Sequence, residues 1–196
     1  MKKVLLIALV LGVVSAASGQ TASTGAGECK LTLAQAPAVR GIRMGMTVDQ
    51  ALALFPGTEE SKYLRTQLLR NNFGFQYLNF SPGQYESKEK FVGVDLLSIN
   101  FLDGGIVSFS IRYNGPEWRS NEQFAATVAE ALRLPGSESW KPTPNGRAIT
   151  CNGFEVSVQK GSQNWISLRG TGADLNKILS EREEVPKEQA RRAWRP

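Results

Sequence analysis

An α+β fold, in which an antiparallel sheet carries short helices packed on one face, is what this sequence predicts. Three observations predict it. Apolar and polar residues alternate with period two through Leu97, Ile99 and Phe101, through Phe109, Ile111 and Tyr113, and again around Ile149, Val156 and Val158. Two short segments carry complete helix start and stop signals. Strands with one apolar side need a cover, because a bare face would leave most of those side chains in water.

The chain of 196 residues opens MKKVLLIALVLGVVSAASGQ. Lys2 and Lys3, an apolar run from Val4 to Val14 and an Ala-rich exit match a secretory signal peptide, with cleavage expected after Ala16 or Ala17. The run is too short for a membrane anchor, which needs about 20 apolar residues. The expected organisation is a leader over 1–17, a flexible lead-in over 18–38 and a first helix-plus-sheet unit over 39–115. A second unit follows over 116–172, then a C-terminal helix and tail over 173–196. Loss of Lys2 and Lys3 lowers the formal charge from +5 to +3, too mild to argue for nucleic acid. The expected location is the periplasm or the medium, with no stable membrane insertion after the leader is removed. Export permits a disulfide between the two cysteines, Cys29 and Cys151, and this is preferred to two free thiols.

The first helix lies in GMTVDQALALFPG, residues 45–57. Thr47 and Gln50 have capping-box spacing, Val48, Ala51, Leu52 and Phe55 share one face, and Pro56-Gly57 ends the run. A second helix is expected in TEESKYLRTQLLRNN, capped by Thr58, with Glu59 and Glu60 in its first turn and Arg70 in its last. FGFQYLNF reads as a strand, and SPGQYESKEK as a turn and loop. A hairpin follows over 94–114. A three-residue Asp103-Gly104-Gly105 loop sets Phe101 against Val107 and Ile99 against Phe109, whereas a two-residue turn mixes the faces.

SNEQFAATVAEALRLPG, residues 120–136, repeats the helix signals: Ser120 and Gln123 as a box, Phe124, Val128 and Leu132 as a stripe, Pro135-Gly136 as a stop. The two endings, ALALFPG and EALRLPG, raise an internal duplication. In RAITCNGFEVSVQK the Asn152-Gly153 turn sets Cys151 against Phe154 and Ile149 against Val156. NWISLR adds a strand that aligns Ile166 and Leu168 with Val158 and Val156. ADLNKILSERE reads as a helix interrupted by Pro186, and KEQARRAWRP as a frayed end holding Arg191, Arg192 and Arg195.

No histidine occurs, which removes the ordinary Ser-His-Asp and Cys-His systems and the commonest zinc ligand. No phosphate loop or metal spacing is present, and no cofactor is expected. Glu86, Glu89, Asp95, Asp103, Glu117 and Glu155 are the carboxylates outside helices that could serve a glycan-acting enzyme of the envelope. A solvated acid, or for Asp95 a rim acid that merely caps or pairs with an arginine, is the plainer expectation. Trp165 points away from the Ile166 and Leu168 face, beside Ser157 and Arg169, as a partner contact or under the C-terminal helix. Trp118, just before a helix cap, reads as packing over the helix start, Trp140 lies in a Pro-rich connector, and Arg40 and Arg43 read as solvated charges or anion contacts.

The stretch 45–57 resembles the first-helix signature of small exported bacterial proteins related to the outer-membrane assembly lipoprotein small protein A and to β-lactamase inhibitory protein. The resemblance implies paired helices on an antiparallel sheet, in two tandem units for the inhibitory protein, and work by binding other proteins. This chain departs from the lipoprotein pattern, since no cysteine stands at the leader's cleavage point. The expectation is therefore a non-enzymatic binding or accessory protein of the envelope, with another envelope or secreted protein as its partner. Trp165 and Arg169 are the candidate contact residues.

Overall fold

A computed structural model describes residues 28–194 apart from 59, 70–72, 86–88 and 173. The expected leader, residues 18–27 of the lead-in, Glu59, Arg70, Glu86 and Arg195 lie outside those residues. Seven strands form a single antiparallel sheet: β1 (Phe75–Phe80), β2 (Val94–Leu102), β3 (Gly105–Tyr113), β4 (Lys141–Thr143), β5 (Gly146–Thr150), β6 (Phe154–Gln159) and β7 (Asn164–Gly170). Their spatial order is β1-β2-β3-β7-β6-β5-β4. The first three strands and the last four are thus two meanders, joined where β3 pairs with β7 from Ser108↔Arg169 to Tyr113↔Asn164.

The β2–β3 hairpin corrects the expected loop. Asp103 and Gly104 alone form the turn, both with positive φ (51° and 83°), and Leu102 faces Gly105. Ile99 does face Phe109, but Phe101 faces Ile106 rather than Val107. A bulge between these pairs leaves Val107 without an opposite residue and restores the apolar faces that a plain two-residue turn would have mixed. The β5–β6 hairpin needs no such device: Ile149 faces Val156, and the Cys151 N–H donates to the Phe154 carbonyl at 2.8 Å. Val158 faces Ile166 and Val156 faces Leu168, as the alternation requires.

Helix α1 (Val48–Leu52) is short. Both halves of its capping box form, with Thr47 N–H to Gln50 Oε1 at 3.0 Å and Gln50 N–H to Thr47 Oγ1 at 3.2 Å. The residues before it dock on the sheet, since Gly45 N–H donates to Ile106 O and Ile106 N–H to Met46 O. Phe55, just after it, packs edge-on against Phe80 at 4.9 Å and against Phe91 at 4.6 Å. Helix α2 (Lys62–Leu69) starts on Ser61, whose oxygens accept from Leu64 and Arg65; Thr58, the expected cap, is buried and its hydroxyl has no partner among the described residues. Buried Gln67 exchanges two bonds with the Asn79 backbone of β1, which satisfies part of that edge strand.

Helix α3 (Asn121–Leu132) lies over β5 and β6 and buries Phe124, Ala125, Val128 and Ala129. Only half of its box forms. Ser120 Oγ accepts from Gln123 N–H, but Gln123 Oε1 accepts from Arg119 rather than Ser120. The helix stops at Arg133, left-handed at φ 55°, two residues before Pro135. The Trp140 indole is buried and donates to Pro135 O at 3.1 Å, and Arg147 joins Glu122 to the Trp140 carbonyl.

Two segments remote in sequence are tied to hairpin tips. Cys29 and Cys151 are joined, with Cα atoms 4.6 Å apart, and Asn152 N–H donates to Leu31 O. Residues 29–32 are therefore anchored to the second meander, a correction to the flexible lead-in expected there. Helix α4 (Leu175–Ala193) runs through Pro186, a correction to the expected break. Proline forfeits one helical bond, and ion pairs from Glu183 and Glu184 to Lys187 and from Glu188 to Arg192 brace the turns around it. The helix is held to the β2–β3 turn by Arg182, which bonds both Asp103 carboxylate oxygens and Phe73 O. No helix among the described residues is long and apolar enough to cross a membrane.

Candidate functional site

Alternation along β7 puts Trp165, Ser167 and Arg169 on the face opposite the core, and the register fixes their neighbours. One row runs Arg112, Trp165, Gln159; the next runs Asn79, Ser98, Ser110, Ser167, Ser157; a third runs Asn100, Ser108, Arg169, Glu155, Thr150. Small hydroxyl side chains across the middle strands leave this face polar and shallow, with the indole as its largest feature.

Trp165 is half-buried and held from one side. The Arg112 guanidinium lies over its ring at 5.4 Å, and Arg112 Nε donates to Asp95 Oδ2 at 2.6 Å. Gln163 donates to the same oxygen at 3.2 Å. Cation–π contact and the carboxylate together fix the indole in place. Beside it a groove of 520 Å³ is floored by Ser110, Ser157 and Ser167 and walled by the β4–β5 turn, Thr143–Gly146. Gly146 makes that wall possible, because a Cβ there would overlap the Val158 carbonyl. None of the residues lining the groove belongs to α4.

Arg169 shares the face but not the groove. It stands four positions, about 13 Å, along the strand from Trp165 and bonds Glu155 through Nε at 2.9 Å. That hydrogen bond raises its pKa further above the ordinary arginine value. Ser157 faces Ser167, so the immediate cross-strand neighbours of Trp165 are Arg112 and Gln159, a correction to the pair expected from alternation alone.

The carboxylates do not converge. Asp95, Asp103 and Glu155 are each bonded to a different arginine: Arg112, Arg182 and Arg169. Asp95 and Asp103 sit at opposite ends of β2, about 26 Å apart by strand rise. Glu155 is three strands and four positions from Asp95, about 19 Å. None of these separations suits a paired-acid mechanism, which places the two groups within about 5–9.5 Å. Glu89 and Glu117 are exposed. Among the described residues no group of three or more Cys, Asp or Glu is arranged to hold a metal ion.

The chain matches no protein-family model, no curated protein and no solved structure.

Proposed function

We propose that this is an exported, non-enzymatic binding protein that presents its outer sheet face, centred on Trp165, to another protein of the envelope or medium. The observation that carries the reading is the indole itself. It is half-exposed, pre-set by Arg112 and Asp95, and bordered by small polar side chains that let a partner approach closely. Tryptophan and arginine dominate binding energy at interfaces, because they bury much area and lose little freedom when already fixed. The leader pattern and the joined cysteines support export. The likeness of residues 45–57 to the small protein A and β-lactamase inhibitory protein type agrees with binding rather than catalysis.

A photo-crosslinking residue at Gln159, and a second at Thr127 on exposed α3, test the face. Crosslinks to one defined envelope protein from position 159, absent from 127 and lost on Trp165→Ala, are the expected result. Equal capture from both positions, or capture unchanged by Trp165→Ala, removes the assignment.

A further inference from the structure

On the other side of the sheet, between α3 and the loops at 38–40, 92–93 and 114–118, lies a cavity of 590 Å³. Its volume falls in the range of small-molecule sites, about 300–1,000 Å³. Val128, Leu132 and Ile166 give it an apolar wall, and Trp118, stacked on Phe124 at 5.2 Å, closes one side. Arg40 is the only charged residue in its described lining. Its guanidinium lies 5.9 Å from the centre of the Tyr113 ring and spends one N–H on Val92 O at 3.4 Å. No described carboxylate forms an ion pair with it, so the donors not spent on Val92 O and Tyr113 face solvent at the edge of an apolar space. The nearby Tyr113 hydroxyl has its pKa raised by burial, opposed by Arg40, and stays neutral.

A second observation concerns Asn164, which is only 4% exposed and lies in the cavity wall. Its Nδ2 donates to Pro116 O at 3.1 Å, which fixes the orientation of the amide. Its Oδ1 then has no donor among the described residues. A buried acceptor left unpaired costs about 1–3 kcal/mol, and a group that supplies a donor recovers that. Asn164 lines the cavity together with Asn114, Gly115, Pro116 and Trp118, so a ligand seated there lies beside this amide.

We infer that this cavity binds a small amphiphilic acid of the N-acyl amino acid kind. Its acyl chain lies against Val128, Leu132 and Ile166, its carboxylate is taken by Arg40, and its amide N–H is received by Asn164 Oδ1. The binding face is opposite to the one presenting Trp165, and the inference does not rest on that surface.

N-octanoylglycine is the probe, followed by calorimetric titration and by the NMR shift of the Trp118 indole N–H. The expected result is saturable binding that moves the Trp118 signal. Affinity falls about tenfold for N-octanoylsarcosine, which lacks the N–H, and about tenfold for Arg40→Gln, as loss of one buried or charge-assisted hydrogen bond predicts. Ala131→Trp, at the exposed rim, blocks the space and abolishes binding, while Trp165→Ala leaves it unchanged. Far-ultraviolet circular dichroism and the urea midpoint confirm that each variant is folded. Failure of the probe to saturate, equal affinity for the N-methylated compound, or binding undiminished by Arg40→Gln or Ala131→Trp overturns the inference.

Discussion

The two hairpin tips answer the same mechanical problem with different chemistry. Each turns in two residues, Asp103-Gly104 and Asn152-Gly153, and each is held by a segment remote in sequence. At β5–β6 the holder is the N-terminal stretch, through a covalent bond across 122 residues and a backbone hydrogen bond from Asn152 to Leu31. At β2–β3 it is α4, through the exposed ion pair of Arg182 with Asp103. A covalent link restricts the unfolded chain and so acts on the whole molecule. An exposed ion pair acts locally and competes with water and salt. One tip therefore contributes to global stability, and the other only sets where a helix rests.

Breaking the covalent tip has the largest expected effect. The double change Cys29→Ser, Cys151→Ser, or reduction of the native protein, lowers the unfolding free energy by about 4 kcal/mol, read from urea titrations with and without reductant. A loss below about 1 kcal/mol would mean that the N-terminal segment adds little beyond its hydrogen bonds.

The two turn glycines sharpen the contrast. Both have positive φ, 83° at Gly104 and 93° at Gly153. A Cβ at Gly104 meets nothing, whereas one at Gly153 comes to 3.2 Å from Leu33 Cβ of the tethered segment. Gly104→Ala is expected to cost about 1 kcal/mol of backbone strain, and Gly153→Ala about 2 kcal/mol because crowding is added. Equal losses in thermal or urea unfolding would show that the tethered segment yields freely.

The ionic tip gives the smallest global change. Asp103→Asn leaves the urea midpoint in place but speeds amide hydrogen exchange in α4 near Arg182. The hydrogen bond from Arg182, followed by its charge, holds the Asp103 carboxyl below its ordinary value of 3.8. A depressed carboxyl contributes fully above the unfolded value and loses that contribution as pH falls through the folded one. Wild-type α4 should accordingly exchange faster below about pH 4, while Asp103→Asn shows no such step. A midpoint that drops with Asp103→Asn would place α4 inside the cooperative unit.

What could be read in advance was what neighbours along the chain decide. The Thr47–Gln50 box, the Asn152-Gly153 turn and the alternation through Ile149, Val156 and Val158 are local, and the structure contains all of them. The cysteine pairing was legible because only two thiols exist. The bulge at Val107 was not: alternation alone favours a three-residue loop, because a two-residue turn keeps the apolar faces together only when one residue bulges out. Strand β4, Lys-Pro-Thr, is too short and too polar to announce itself. The candidate face was only half visible. Alternation marks Trp165 as outward, but its partner Arg112 comes from a strand 53 positions earlier, through a β3–β7 pairing that no local signal encodes. Arg40 reads in the sequence as a solvated charge or an anion contact; the apolar space beside it depends on α3 and β7 arriving from elsewhere.

The sheet order also carries a consequence for how the molecule is made. Strand β7, last of the seven in sequence, sits near the middle of the sheet between β3 and β6. During synthesis β3 therefore waits with one edge open until some 50 further residues have emerged, and so does β6 for a shorter time. An unpaired edge flanked by apolar side chains invites pairing with another chain. The growing chain is thus open to self-association at β3 and β6 until this single late strand inserts and covers both of those edges at once.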